Sequence, residues 1–214
     1  MFRSFYARYN ALLTQRPLLT QATTSGFLFG AGDALAQTLS PGKDERYDYM
    51  RTARMSFYGG VIFAPVVSHW YRFVTKTIVI PGRPNLEAVA RMTADQTIFA
   101  PNGIAAFYVG MGLLEAKSWD EIKQDLSDKW YPTMVGNYVV WPAVQIINFR
   151  FIPLAYRLLF VNSVSIGWNA FMSFINSEPD VGEALHKIEE AEEALEEKAV
   201  ELEKKAEKVI ERRH

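Results

Sequence analysis

Four stretches of this chain contain no Asp, Glu, Lys or Arg: MSFYGGVIFAPVVSHWY (55–71), QTIFAPNGIAAFYVGMGLL (96–114), WYPTMVGNYVVWPAVQIINF (130–149) and LLFVNSVSIGWNAFMSFINS (158–177). A fifth, PLLTQATTSGFLFGAGDALAQTLSP (17–41), contains one charge, Asp33. A helix needs about 20 mostly apolar residues to cross a hydrocarbon core. So many charge-poor runs in so short a chain are not explained as scattered core helices of a soluble protein. The runs are also rich in Gly, Ser, Thr, Asn and Pro, which keeps their hydropathy moderate, so a numerical scan is expected to miss some of them. That composition suits membrane helices that pack closely or surround something polar. The expected fold is therefore all-α: a polytopic membrane helix bundle of four to five apolar segments with a C-terminal solvated helix. One β-branched run, TKTIVI (75–80), is cut by Pro81-Gly82 and is too short to change that reading. Pro132, Pro142 and Pro153 are expected to kink or interrupt the last two segments.

Charge divides the chain. Residues 1–180 carry 13 acidic and 16 basic side chains, whereas the remainder carries 11 acidic and 7 basic. Three regions follow. Residues 1–16 form a basic amphipathic N-terminal segment with Arg3, Arg8 and Arg16 and no acid, a composition suited to mitochondrial import. Residues 17–177 are the transmembrane bundle. Residues 178–214 are a charged helical tail built from helix formers, with Ile188, Leu195, Leu202 and Val209 every seven residues; a weak coiled coil, a lineage-specific extension and an engineered helix all fit it. The loop cations favour the N-terminal side by too small a margin to set the orientation.

The chain has no cysteine and three histidines, two of them, His186 and His214, in the tail. Thiolate chemistry is excluded, and a zinc centre or histidine-based triad in the bundle would rest on His69 alone. No enzyme chemistry, cofactor or metal is expected.

The run GFLFGAGDALAQ (26–37) admits two mechanisms. A dinucleotide fingerprint would need Gly or Ala at Leu35, a preceding strand and a βαβ unit, and a Walker sequence would need Gly-Lys-Ser/Thr; none is present. Instead, at helical spacing, Gly26, Gly30 and Ala34 share a face with Asp33 and Gln37. Small residues on that face allow another helix to approach closely, and an intramembrane carboxylate demands a partner or a wet cavity. The other segments follow suit: Arg91, Asp95, Phe99, Asn102, Ala106 and Gly110 form one stripe, Asn137, Trp141, Val144 and Asn148 another, and Asn162, Asn169 and Asn176 a third. Such faces surround a polar pathway or hydrogen-bond one another with none, and both readings stay open. The residues expected to line or gate a pathway are Asp33, Gln37, Arg54, Asp95, Gln96, Asn102, Asn137, Trp141, Gln145, Asn148 and Arg157. Arg54 heads the second apolar run with reach enough to turn inward. Gly26, Gly30, Gly59 and Gly110 are expected at helix contacts, and His69, Trp70, Tyr71 and Trp130 at the membrane boundary, where aromatic belts sit.

The runs GAGDALAQ (30–37), YDYMRTARMSFYGG (47–60), PVVSHWY (65–71), ADQTIFAP (94–101), NYVVWPAVQIINFRFIPLAYR (137–157) and WNAFMS (168–173) resemble the Mpv-seventeen / twenty-two-kilodalton peroxisomal membrane protein family. The similarity covers about residues 5–176, and the block W-P-x-x-Q-x-x-N-F from Trp141 to Phe149 is highly specific; Tyr138 and Ile152 depart from the pattern conservatively. The resemblance implies a small integral protein, usually described as four-spanning, of the mitochondrial inner membrane or, for relatives, the peroxisome. It also implies a channel-like or metabolite-passing activity linked to mitochondrial DNA maintenance and metabolic stress, and the arginines on the polar helix faces are expected to attract anionic metabolites. The alternative is a non-conducting scaffold or lipid-binding protein. Expected partners are membrane lipids, anionic ones included, a small-molecule solute and further copies of the chain, with no direct binding of nucleic acid.

Overall fold

The computed structural model describes residues 2–39 and 46–176, with side chains over 7–38 and 46–168. The charged tail, and the side chains of Asn169 and Asn176, lie outside the described residues. Two compact units are distinguished, Met1–Ala170 and Phe171–His214; of the second, the described part is helical to Asn176.

All regular structure among the described residues is helical. Helix α1 (Phe2–Gln15) passes almost directly into α2 (Pro17–Leu39), with Pro17 at the first position, where its missing N–H costs nothing. Helix α3 (Tyr49–Phe57) begins at Asp48, whose side chain accepts from the Arg51 N–H. It runs through a wide π-helical turn (Tyr58–Phe63) into α4 (Ala64–Thr77). Helix α5 (Pro84–Ala94) continues in the same way through a second wide turn (Asp95–Phe99) into α6 (Ala100–Leu114). Helix α7 (Trp119–Phe151) is the longest, and a short 3-10 turn (Leu154–Tyr156) leads into α8 (Arg157–Asn176).

The two wide turns have one cause. Each ends in the tetrapeptide Ile-Phe-Ala-Pro, at 62–65 and at 98–101. Proline has no N–H to donate and its ring crowds the carbonyl four residues back. Widening the turn relieves that crowding, and the last N–H before each proline reaches five residues back, from Ala64 to Gly59 and from Ala100 to Asp95. Pro132 and Pro142 do not interrupt α7, which runs through both. Next to the first of them the Thr133 hydroxyl donates to the Lys129 carbonyl. Pro153 does end α7.

Polarity is distributed inside out. Asn148 is 0 % exposed and Asp95 2 %, with Gln145 and Asn162 equally buried, whereas Phe27 is 73 % and Phe151 67 % exposed, in company with Val61, Ile98 and Leu113. Outer hydroxyls turn back on their own helices: Thr23, Thr38, Thr93 and Thr97 each donate to the carbonyl four residues earlier. A surface of large apolar side chains with its polar groups internally satisfied belongs in an apolar solvent. Among the described residues, the continuous helix Pro84–Leu114 is by itself long and apolar enough to cross a membrane, and only 17 % of its most apolar window is buried. The other runs do not reach that threshold, because the polar residues they carry inward lower their mean hydropathy.

The tightest helix contact joins α2 to α3 and the first wide turn. Gly26 meets Gly60 there backbone to backbone; a Cβ on Gly26 would stand 3.0 Å from the Ser56 carbonyl oxygen, and one on Gly60 at 3.0 Å from that of Ala22. Gly30 lies against Ser56, Gly59 against the Phe29 ring and Gly110 against Tyr58.

At the opposite end of α6, α7 starts in a capping box: the Ser118 hydroxyl accepts from the Glu121 N–H, and Glu121 receives the Ser118 N–H at 2.7 Å. Lys117 bridges Asp125 and Glu115, and Lys129 also binds Asp125. The Ser118 hydroxyl and N–H hold the Glu121 carboxyl below its ordinary range, and Lys117 and Lys129 do the same for Asp125.

Two outcomes are expected. Gly26→Leu forces the α2–α3 backbones apart and lowers stability by about 1–3 kcal/mol, measured by unfolding in mixed micelles. Because the Glu121 and Asp125 carboxyls titrate lower folded than unfolded, their stabilisation is complete above the ordinary carboxyl range and disappears as pH falls through their folded values. Hydrogen-exchange protection at the start of α7, measured relative to the intrinsic rate at each pH, should therefore fall on acidification below about pH 4, and Ser118→Ala should weaken that pH dependence.

Candidate functional site

Two carboxylates sit inside the helical bundle, and each is satisfied in a different way. Asp33, on the inward face of α2, forms an ion pair with Arg51 at 2.8 Å. It also accepts from the Thr52 hydroxyl at 2.6 Å and the Gln37 amide at 2.7 Å. Gln37 is held in turn by the Asp48 backbone, donating to its carbonyl and accepting from its N–H. This cluster closes the end of the bundle where α2 finishes and α3 starts. Arg54, the cation expected to turn inward, instead approaches Asp48 at 3.5 Å, with its Nε buried and without a hydrogen bond. The reason is register: Thr52, one turn before the Ser56–Gly30 contact, meets Asp33, and Arg51 beside it reaches the same carboxylate.

Asp95 has no cation at ion-pair distance among the described residues. It lies on the second wide turn, where the extra residue rotates it towards α4 and α7. The Trp70 indole N–H donates to Oδ1 at 2.7 Å and the Gln96 amide to Oδ2 at 3.0 Å. From there the network spreads into α7. Asn137 donates to the Gln96 side-chain oxygen at 2.7 Å, Tyr138 to the Gln96 carbonyl at 3.1 Å, Gln145 to the Tyr71 hydroxyl at 3.1 Å, and Asn148 to Gln145 at 2.9 Å. All of these but Tyr138 and Trp70 are buried.

Between the two clusters, α2 supplies a ladder. Asn162 donates to the Ser25 hydroxyl at 2.6 Å, and Ser68 donates to Gln21 at 2.7 Å. Gln21, Ser68 and Tyr71 also border a cavity of about 270 Å³ that reaches the surface beside Arg72. Asn148 Oδ1 and Asn162 Oδ1 are buried acceptors without a donor, and each such group costs about 1–3 kcal/mol unless another donor serves it.

Several residues stand elsewhere than the sequence suggested. Asn102 is exposed on the outer surface, its amide turned back to the Ile98 carbonyl at 2.7 Å; the wide turn before it shifts the helical stripe, so Asp95 and Asn102 part company. Trp70 and Tyr71 belong to the interior, where the indole N–H and the phenol have polar partners, rather than to a boundary belt. Arg157 is buried and caps α7, donating to the carbonyls of Phe149 and Ile152 and to the Thr75 hydroxyl, a position that complements the negative end of the helix dipole. Arg91 does the same for α4 at Thr75 and Ile78 while paired with Glu87. Trp141 packs edge to face against Trp168. Trp130 donates to the Pro101 carbonyl, and His69 is exposed with Nδ1 2.7 Å from the Pro65 carbonyl. Among the described residues no group of acidic and histidine side chains could hold a metal ion.

Gln21, Ser25, Thr52 and Ser68 were not singled out in the sequence. The signal for the first two was present: every fourth residue from Gln21 through Ser25, Phe29 and Asp33 to Gln37 faces inward. Thr52 and Ser68 carried none, because a hydroxyl on a helix most often bonds its own backbone.

The sequence profile of the Mpv17 / PMP22 family matches residues 112–173. The chain is 43 % identical over 176 residues to Protein SYM1 of Gibberella zeae, an alignment that spans 82 % of this chain and 99 % of the relative. It is 45 % identical over 171 residues to Protein SYM1 of Kluyveromyces lactis (79 % and 88 %) and 41 % over 174 residues to that of Saccharomyces cerevisiae (79 % and 88 %). No solved structure matches the chain.

The network around Asp95 makes a coupled prediction. Trp70→Phe removes one donor from a buried carboxylate and should cost about 1.5–3 kcal/mol. Combined with Asp95→Asn, the loss should fall short of the sum of the single effects by at least about 0.5 kcal/mol. Strict additivity in micellar unfolding would mean that the indole bond contributes nothing.

Proposed function

Because this chain belongs to the Mpv17 / PMP22 family and is a membrane protein, we propose that it is a channel or transporter for small anionic metabolites in the mitochondrial inner membrane, crossing it with four to five apolar segments. The observation that carries this reading is the polar interior beneath an apolar exterior: Gln37 and Asp33 at one end, then Ser25–Asn162, Gln21–Ser68 and the Tyr71–Gln145–Asp95–Asn137 cluster. Small residues and a few interhelical hydrogen bonds are enough to hold a bundle together in lipid. Polar side chains in such numbers give a solute hydrogen-bonding partners to exchange with. The described conformation is closed, since the side chains fill the interior with bonds to one another. The two wide turns are the places where α3–α4 and α5–α6 can rotate with least loss of backbone bonding. Solute passage of this kind is how the chain would contribute to mitochondrial homeostasis and mitochondrial DNA maintenance under metabolic stress.

A second reading has a specific observation in its favour. Asp33 and Asp95 do not converge on one open cavity; each is satisfied within its own cluster, which also suits a non-conducting scaffold.

Flux into liposomes separates the two. The wild-type protein should pass small anions, and Asp95→Asn, which keeps size and hydrogen bonding while removing the charge, should change the rate or the anion-to-cation preference. No flux through folded wild-type protein, or identical flux and selectivity in a folded Asp95→Asn variant, would leave the scaffold reading standing.

A further inference from the structure

One end of the helical unit is rich in cations and almost without acids. It gathers the start of α2, the end of α4, the start of α5 and the α7–α8 junction, and it holds Arg16, Arg72, Lys76, Arg83, Arg91, Arg150 and Arg157. From residue 49 to 86 and from 130 to 177 the sequence has no Asp or Glu, and Glu87 is taken by Arg91 and the Ile80 N–H. Arg91 and Arg157 are engaged as helix caps. Arg72 is exposed and, among the described residues, has no ion pair or hydrogen bond. It stands at the cavity of about 270 Å³. Among the described residues no carboxylate is paired with it, so its guanidinium is open to an anion from outside.

The cavity narrows what that anion is. Its floor is polar: Gln21 accepts from Ser68 and donates one N–H to the Ala155 carbonyl at 3.3 Å, which leaves the second amide N–H available. Its wall is apolar, from Pro17, Leu154 and Leu158. The volume falls below the roughly 300–1,000 Å³ of sites that enclose a drug-sized molecule, so it takes one end of a ligand and leaves the rest outside. The surroundings of the mouth are apolar: Leu154 is itself exposed, as are Leu18 and Phe73, the sequence neighbours of Pro17 and Arg72. A ligand with a charged head at Arg72, an ester oxygen at the remaining Gln21 amide N–H, and an apolar body lying in the bilayer matches all of these features.

We propose that this cavity is a binding site for one anionic phospholipid, with its phosphate at Arg72 and its glycerol-ester region over the Gln21 amide. The proposal is independent of solute passage: a protein that conducts nothing would still bind the lipid. Because Tyr71 borders the cavity on one side and receives the Gln145 bond on the other, the bound lipid lies one side chain away from the Asp95 network.

The test uses the full chain, delipidated in a nonionic detergent and titrated by fluorescence or native mass spectrometry. The probes are dioctanoyl phosphatidylglycerol, dioctanoyl phosphatidylcholine and water-soluble glycerol phosphate. Phosphatidylglycerol should bind with 1:1 stoichiometry and at least about tenfold more tightly than phosphatidylcholine. Arg72→Ala should abolish that preference, Arg72→Lys should keep part of it, and Ala155→Trp, which fills the cavity without changing charge, should prevent binding of both lipids. Arg83→Ala, an exposed cation at the same end and outside the cavity, should change nothing. Equal binding of the two lipids, an equal loss with Arg83→Ala, or glycerol phosphate binding as tightly as phosphatidylglycerol would each overturn the proposal. The Arg72 variants remove no bond within the chain and should unfold at the wild-type temperature, so they decide the matter even if Ala155→Trp fails to fold.

Discussion

Asp95 is a carboxylate deep in the bundle with no cation beside it, and much of the interior is arranged to supply it with neutral donors. A charge in such a place is tolerated only if its oxygens are bonded and their partners are themselves held. Trp70 and Gln96 provide the bonds, Asn137 holds Gln96, and the Phe99 ring stacked on Trp70 at a centroid distance of 5.3 Å holds the indole. That single requirement brings α4, α5–α6 and α7 to one place. Asp33 makes a lesser demand, because Arg51 is half exposed and reaches it from the bundle end. One carboxylate is balanced by charge, the other by geometry.

The wide turns show how backbone chemistry serves this interior. Proline at 65 and 101 forces an extra residue into the turn before it, and that residue changes which side chains face inward. In the first turn the inward positions are Gly59 and Gly60, and α2 comes to backbone contact. In the second they are Asp95 and Gln96, and α7 comes to amide contact. The same local device yields an apolar seam in one case and a polar one in the other, depending only on the side chains placed on it.

The class of fold was legible because absence of charge over long runs is a coarse property that survives errors of register. The contacts of Gly26 and Gly30, and the need to satisfy Asp33, were legible because α2 is a regular helix and its face can be counted. Asn102 was misplaced for the opposite reason: counting at 3.6 residues per turn across a π-helical turn accumulates an error of one residue, enough to send a side chain from the inside to the surface. The recurrence of Ile-Phe-Ala-Pro was the available warning. Trp70 and Tyr71 were misread because an aromatic residue near the end of an apolar run is ambiguous until one knows whether its polar atom has a partner inside. That Arg157 serves the end of the preceding helix was not legible, because the carbonyls it binds belong to a turn the sequence does not mark.

Helix α7 has 33 residues and at 1.5 Å per residue is about 50 Å long, against roughly 30 Å for a hydrocarbon core. Its capped beginning is charged and exposed, while its later turns carry Asn137, Gln145 and Asn148 into the polar interior. One continuous helix thus ties the exposed, charged segment to the amides around Asp95, and a change in the direction of the first would be felt by the second.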